Sequence, residues 1–442
     1  MKNIKNKICA LSAILTATCV FGVQAQELTK QEAIRLTLEN NFGIVVATNN
    51  IEIAENNKGI LNSGYLPTLT GTAAATYNRD NIEAQFANGE TNILEGAESD
   101  RYNASLNLNY MLFDGLGRFY NYKRLKEQYN LSELQARETI ENTILQLFTV
   151  YYEIARLTEN EQILEETLKI SRDRVIRSSY QFDYGQGTKL NVLNAEVDVA
   201  NDSINLLNLR QQLRNTKRDL NLITNEDLDK SFSVDTTIAF VSKLQIDAYL
   251  DQSIENNVTL LQNSANIKIN EYDVKVNKSG YLPTLGLNGS YGWNKNNNNA
   301  ASFLATSISD GFSVSLNLTW NLFDGGGTIT RVKNAKIGLE NQEILKNQIE
   351  LEVKRDIANA LGNYENRLKV YEIQQQNVIT NQNNFERSQE RFKLGQITSI
   401  EFRQAQINLI QAETNKTLAK YDAKLAELQL LQLTGQLLNV NF

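Results

Sequence analysis

Two glycine-rich stretches have residue types that could hold a phosphate: FDGLGR at Phe113–Arg118 and FDGGGT at Phe323–Thr328. A phosphate loop needs glycines for close backbone approach, then a Lys followed by Ser or Thr to reach the phosphates and the metal. Neither stretch is followed by that pair, so the nucleotide reading fails. The glycines suit a turn out of a strand instead, and Asp114 and Asp324 suit the N-caps of helices that follow. Acidic residues are numerous but spread along helix faces, the pattern of a solvated surface.

The rest of the catalytic alphabet is thin. The 442 residues include no histidine and two cysteines, Cys9 and Cys19. Most zinc sites, Ser–His and Cys–His nucleophiles and histidine acid–base work are thereby removed. No enzymatic activity and no cofactor are expected. Both cysteines fall in a stretch that reads as an export leader, residues 1–25: Lys2, Lys5 and Lys7, an apolar run, then the small-x-small ending of VQA, with Gln26 as the first mature residue. Lipidation at Cys19 is not expected, because the preceding TAT is a poor lipobox. The formal net charge is −7, with three of the basic residues inside the leader, which argues against nucleic acid as a partner. After the leader no run of about 18 apolar residues remains to form a transmembrane helix.

The chain is a duplication. SGYLPTL occurs at Ser63–Leu69 and again at Ser279–Leu285, and these heptapeptides hold the two prolines, Pro67 and Pro283. EAIRLTLENN (Glu32–Asn41) lines up with AYLDQSIENN (Ala248–Asn257), YMLFDG (Tyr110–Gly115) with WNLFDG (Trp320–Gly325), and QFDYGQGT (Gln181–Thr188) with RFKLGQIT (Arg391–Thr398). A period of about 210 residues means duplicated domain halves, not a short-repeat solenoid. Leu28 to about Asn62 reads as helix, and the prolines then stop the helix and open a strand.

After each proline the pattern alternates with period two. Tyr102, Ala104, Leu106, Leu108, Tyr110 and Leu112 alternate with Asn103, Ser105, Asn107 and Asn109; the second copy puts Phe312, Val314, Leu316, Leu318, Trp320 and Leu322 opposite Ser313, Ser315, Asn317, Thr319 and Asn321. A half-buried hairpin in a soluble sheet would alternate too. The aromatics favour lipid. Tyr77 corresponds to Trp293, Tyr102 to Phe312 and Tyr110 to Trp320, all on the apolar face. Tyr102 and Tyr110 stand about 27 Å apart along a strand at ~3.4 Å per residue, which resembles two aromatic girdles around an apolar band about 25 Å tall. Four strands cannot close a membrane barrel, so the strands of several copies must pool. A trimer would supply twelve.

The remainder of each repeat is helical. The domain reading is a first repeat over 26–223 (hairpin about 67–112, long helix about 116–183, return helix about 188–223), a connector at 224–242 with one possible strand, a second repeat over 243–436 (hairpin about 283–322, long helix about 326–393, return helix about 398–433) and a tail at 437–442. Each long helix would extend about 100 Å at ~1.5 Å per residue. Ile140, Ile144, Leu147, Tyr151 and Ile154 step by four and three, as do Leu361, Tyr364, Leu368 and Tyr371, which is coiled-coil spacing, although Glu161 interrupts the first seam. Asn78–Asp100 and Asn294–Asp310 are strongly polar and read as solvent-exposed outer loops, and Phe442 follows a helix and carries no barrel signal. In YGQGT and LGQIT a glycine ends a long helix and a new helix begins about three residues later, an ordinary helical-hairpin turn. Such turns, two per chain, would also form a common rim.

Taken together, the duplicated helix, LP, hairpin, LFDGG, long helix and RF..G pattern resembles the TolC-like outer-membrane efflux protein family over essentially the whole mature chain. The resemblance implies a mixed α/β membrane protein: a trimer whose twelve-stranded β-barrel in the outer membrane continues into a long α-helical coiled-coil barrel across the periplasm. It implies as partners a periplasmic adaptor protein met at the tips (Tyr184, Gly185, Gln186, Leu394, Gly395 and Gln396), an inner-membrane pump of RND or ABC type, and outer-membrane lipid. Family members often carry acidic residues just past the tip glycines, lining an entrance constriction. The matching positions are Asn191, Glu401 and Gln404, and only Glu401 keeps a charge. Ile397 stands where some relatives have a basic residue, so the expectation is an entrance closed mainly by packing, with Glu401 favouring cations. A secreted trimeric coiled-coil adhesin or structural fibre without a pore would share the long helices, but not the paired aromatics or the duplication.

Overall fold

The computed structural model describes residues 26–440. The expected leader, Cys19 and Phe442 lie outside them. In chain order the first half comprises β1 (Gln26–Leu28), α1 (Lys30–Asn40), α2 (Phe42–Lys58), β2 (Thr68–Gln85), β3 (Thr91–Asp114), α3 (Gly117–Asp183) and α4 (Lys189–Thr224). The second comprises β4 (Phe232–Val234), α5 (Lys243–Asp251), α6 (Ser253–Asn256), α7 (Val258–Ser279), β5 (Thr284–Asn297), β6 (Thr306–Thr319), α8 (Gly327–Lys393) and α9 (Ser399–Leu433). Two compact units share these elements, one of residues 26–48, 135–260 and 349–440, the other Asn49–Leu134 and Leu261–Gln348.

The first unit is helical, with β1 and β4 paired in parallel. Its main core is the α3 seam: Ile144, Leu147, Tyr151 and Ile154 are buried, with Phe148, Tyr152 and Leu157 beside them and Leu220 of α4 and Tyr421, Leu428 and Leu431 of α9 packed on top. Each fully buried side chain of this size stabilises the unit by about 1.5–3 kcal/mol. Tyr151 joins seam to sheet: its hydroxyl donates to the Leu28 carbonyl at 2.8 Å and accepts from the Asp235 N–H at 3.0 Å. A second core gathers Ile246, Leu260, Val353, Ile357, Tyr364 and Leu430, with Leu361 and Leu368 partly buried against it.

The expected single helix before each proline is broken. Asn41 and its repeat equivalent Asn257 have extended backbones and cap a new helix. The Asn41 side chain accepts from the Gly43 and Ile44 N–H groups and donates to the Ile223 carbonyl at 2.9 Å. Asn257 accepts from the Leu260 N–H and donates to the Leu433 carbonyl at 2.9 Å. Asparagine competes well for backbone groups, so each break also ties a helix start to the end of a return helix.

The second unit carries an antiparallel four-stranded sheet in the order β2–β3–β5–β6. Pro67 and Pro283 stand immediately before β2 and β5. Asp114 and Asp324 cap α3 and α8, accepting from the N–H groups of Arg118 at 2.7 Å and Thr328 at 2.8 Å. The expected polar loops are shorter than read: β2 and β3 stay paired out to Gln85 and Thr91, and β5 and β6 to Asn297 and Thr306. Charged and amide residues crowd those stretches, which hides the alternation but does not end the backbone ladder. At the other end β6 stops at Thr319, short of the expected Leu322. The next residue of β5 is Pro283, which has no N–H to donate, and the far side of β6 is a free edge.

Candidate functional site

The helical unit places its tip turns where glycine permits them. Gly185 and Gly395 have φ of +73° and +69°. Each closes a Schellman motif: Gln186 N–H donates to Gln181 O at 2.7 Å and Gly185 N–H to Phe182 O, matched by Gln396 to Arg391 and Gly395 to Phe392. Tyr184 and Leu394 are 79% and 71% exposed, and Gln186 and Gln396 are exposed beside them.

Past each turn, Thr188 and Thr398 cap the return helices. Glu401 completes a capping box, its carboxylate accepting from the Thr398 N–H at 2.8 Å and hydroxyl at 2.9 Å. Those two bonds hold its carboxyl below the usual range. The signal was present as Thr-x-x-Glu. A depressed pKa means the cap is fully supported above the unfolded value of about 4.3 and loses that support as pH falls through the folded value. Amide protection in the first turn of α9 is therefore expected to fall on acidification below about pH 4, and Glu401→Gln to abolish that pH dependence. Asn191 is half-buried in the other copy, and Gln404 is exposed and donates to Asn408 at 2.9 Å.

Behind the tips lie two features the sequence reading missed. Phe392 stacks on Phe402 at 4.9 Å, and Phe385 on Phe402 at 5.5 Å. Deeper, Arg403 of α9 forks onto Asp202 of α4 at 2.7 and 2.9 Å. Ser171 of α3 donates to Asp202 at 2.6 Å, and Gln406 links Arg403 to the Thr167 carbonyl. Arg174 of α3 pairs with Asp198 of α4. Burial draws the Arg174 guanidinium down from its ordinary range, and Asp198 opposes that. Three helices thus meet around two buried ion pairs. No local spacing announces partners so far apart in sequence.

In the sheet unit, Tyr77, Tyr102, Tyr110, Trp293 and Phe312 share one face, fixed by strand register. Trp320 lies one residue past β6, its indole N–H donating to the Tyr281 carbonyl at 3.1 Å. The aromatics form a staircase. Tyr77 is opposite Asp100, and Tyr102 follows two residues on; Tyr102 is opposite Lys295, and Trp293 follows two on; Trp293 is opposite Asp310, and Phe312 follows two on. From Tyr110, the same step through Leu287, Leu285 and Leu318 reaches Trp320. Tilted strands crossing a flat boundary require such a step. At a tilt of ~45° it is about 1.4 residues per strand, which alternation rounds to two. The opposite face is polar, with Thr72 bonded to Ser105 at 2.8 Å and Ser290 to Ser313 at 2.9 Å.

The chain is similar to known proteins over most of its length. The family model described as outer membrane efflux protein matches residues 33–226 and 249–436, one stretch in each repeat. The outer membrane efflux protein BepC of Brucella suis is 22% identical over 433 residues, covering 98% of this chain and 90% of its own. The outer membrane protein TolC of Vibrio cholerae is 22% identical over 378 residues, covering 85% and 83%. The CmeC outer membrane channel of Campylobacter jejuni superposes with a TM-score of 0.75 at 19% identity, covering 92% of this chain and 86% of that one.

Proposed function

The chain belongs to the outer membrane efflux protein family, and from that premise we propose that it is the trimeric exit duct of a tripartite efflux or type I secretion system. The sheet lies in the outer membrane and the helical unit in the periplasm. Three four-stranded sheets close a twelve-stranded barrel, and the staircase aromatics sit at its two lipid boundaries. The tip turns meet a periplasmic adaptor, and through it an inner-membrane pump of RND or ABC type.

The observation that carries the reading is the pair of free edges on β2 and β6, because an open edge cannot persist in lipid. Repeat equivalence gives the seam its register. Between the two copies, β3 meets β5 with Leu106 opposite Tyr291 and Tyr110 opposite Leu287. Leu316 and Trp320 are the second-copy equivalents of Leu106 and Tyr110; Ala75 and Gly71 are the first-copy equivalents of Tyr291 and Leu287. β6 therefore meets the next subunit's β2 with Leu316 opposite the partner's Ala75 and Trp320 opposite the partner's Gly71. On this alignment the staircase continues across the seam, since one more step of two puts the partner's Tyr77 opposite Val314. The same equivalence predicts a further contact. A Cβ on Gly115 would lie 2.5 Å from the Ser279 carbonyl oxygen, whereas the equivalent Gly325 has nothing within 4 Å. The partner's Ser63, equivalent to Ser279, would close on it.

No cysteine follows Cys19, so disulfide trapping reads this seam directly. Leu316→Cys with Ala75→Cys is expected to form covalent trimers, because paired Cα atoms stand about 4.5–5.5 Å apart. Leu316→Cys with Ala73→Cys, one pair out of register, is expected to form few. Monomers from both would overturn the closed barrel. At the other end, a photo-cross-linking side chain at Gln186 or Gln396 is expected to capture a periplasmic adaptor in living cells. Capture of nothing but the protein itself would remove the adaptor from the proposal. The entrance between these tips is held by the Phe392–Phe402 packing and the Arg403 network. Glu401 contributes a ring of charge favouring cations, and unchanged ion selectivity in Glu401→Gln would exclude that role.

A further inference from the structure

Arg101 stands alone on the polar face of the sheet. Across β2, β3, β5 and β6 that face presents threonine, serine, asparagine, glycine and alanine: Thr76 and Asn296 flank Arg101, and Ser307 follows Asn296. Over the face positions of 68–78, 99–109, 286–296 and 307–319, Arg101 is the one charged side chain. The neighbouring Asp100, Lys295 and Asp310 project from the other face, beside the aromatics. The next charge on the polar face, Asp80, is four residues beyond Thr76 toward the loop, about 14 Å at ~3.4 Å per residue and beyond a Debye length of ~8 Å. A bare rim would carry mixed charges, as the loop-proximal outer face does. A single basic group on an uncharged wall points to selection.

We propose that Arg101 is a specificity-determining residue of the duct, forming a ring of three guanidiniums that makes the outer mouth favour anionic solutes over cations. The proposal rests on the barrel described above, in which the polar face lines the lumen. Twelve strands spaced ~4.8 Å apart and tilted ~45° give a radius of about 13 Å. Guanidiniums reaching inward from that wall leave the mouth within about one Debye length, ~8 Å, of positive charge. Three charges about 8 Å away through water, screened over that length, raise local anion concentration about two- to threefold and lower that of cations equally. The wall otherwise offers hydrogen-bonding groups and no opposing charge. A solute leaving the duct thus meets charge selection at its last step.

The test avoids the entrance, which lies in series with the mouth in any conductance measurement. Asn103 is two residues along β3 from Arg101, on the same face. In otherwise cysteine-free mature protein, an Asn103→Cys thiol is exposed to sulfonatoethyl and trimethylammonioethyl methanethiosulfonate from the loop side. The anionic-to-cationic rate ratio is read against that of a free thiol. Adding Arg101→Gln is expected to lower the ratio about threefold at physiological salt, the square of an about 1.8-fold concentration effect at a wall thiol that lies ~7 Å from its own Arg101 and about twice as far from the other two. Arg101→Lys should keep most of it, and 1 M salt, with a Debye length of ~3 Å, should erase the difference. An unchanged ratio in Arg101→Gln, with Asn103→Cys still reached by both reagents, overturns the inference and leaves the barrel standing. If neither reagent reaches Asn103→Cys, or the opposite-face Leu106→Cys reacts as fast, the lumenal assignment fails and takes the inference with it.

Discussion

Asp202→Ala is expected to destabilise the helical unit by about 3–5 kcal/mol, the cost of leaving a buried charge without its partner. The Asp202 side chain is 6% exposed and that of Arg403 14%. Removing the carboxylate strips Arg403 of its fork and takes away the acceptor of the Ser171 hydroxyl. Asp198 remains 3.6 Å from Arg403, but it already serves Arg174. The pair itself need not be a large net stabiliser, because two buried charges give up much hydration to meet. Asp202→Ala with Arg403→Met should therefore recover a substantial part of the loss. The readout is the guanidinium midpoint of the helical signal in detergent, with amide exchange expected to rise together in α3, α4 and α9. A single-variant cost below about 1 kcal/mol, the range of an exposed ion pair, would mean that water reaches the cluster.

The features read correctly from sequence are those written in local periodicity. The alternation around Leu106 and Leu316 survives as a real face, because strand geometry allows side chains only two directions. The four–three stepping through Ile144, Leu147 and Tyr151 marks the buried stripe of α3 for the same kind of reason. The duplication did more than its matches suggested. Asn41 and Asn257 aligned as part of a repeat, yet their chemistry is that of helix caps bonded to distant carbonyls. Glu401 likewise had a local reading, the capping box, that the family's constriction overshadowed. The Arg403–Asp202 fork was not legible at all. Its partners lie on return helices of different repeats, and only packing brings them together. β6 shows the converse: the alternation runs on through Trp320, but the ladder ends at Thr319, because the next residue of β5 is Pro283, which has no N–H to donate.

Gly435→Ala is expected to cost about 3–5 kcal/mol, against about 1–2 kcal/mol for Gly185→Ala, although both glycines have the same left-handed backbone. The shared part is the conformation: φ is +70° at Gly435 and +73° at Gly185, a region that penalises any Cβ by about 1–2 kcal/mol. The difference is what the new methyl meets. At Gly185 nothing lies within 4 Å, whereas at Gly435 a Cβ would fall 2.3 Å from the Asn256 carbonyl oxygen and 2.7 Å from its carbon. These are backbone atoms at the end of α6, so the clash cannot be relieved by a rotamer change. Moving them apart also strains the Arg137 clamp, which donates to the Asn256 carbonyl at 3.1 Å and the Gly435 carbonyl at 3.0 Å. Arg137 in turn holds the carboxylate of Glu141, whose side chain is 1% exposed and whose pKa burial pushes up. Loosening the clamp leaves that group with water too far away and its guanidinium displaced. Parallel denaturant titrations of the two variants decide the matter: equal midpoints would mean that the conformation alone sets the cost and that the α6 end yields freely, whereas a lower midpoint for Gly435→Ala identifies the return of α9 onto Asn256 as the point where the helical unit is fastened.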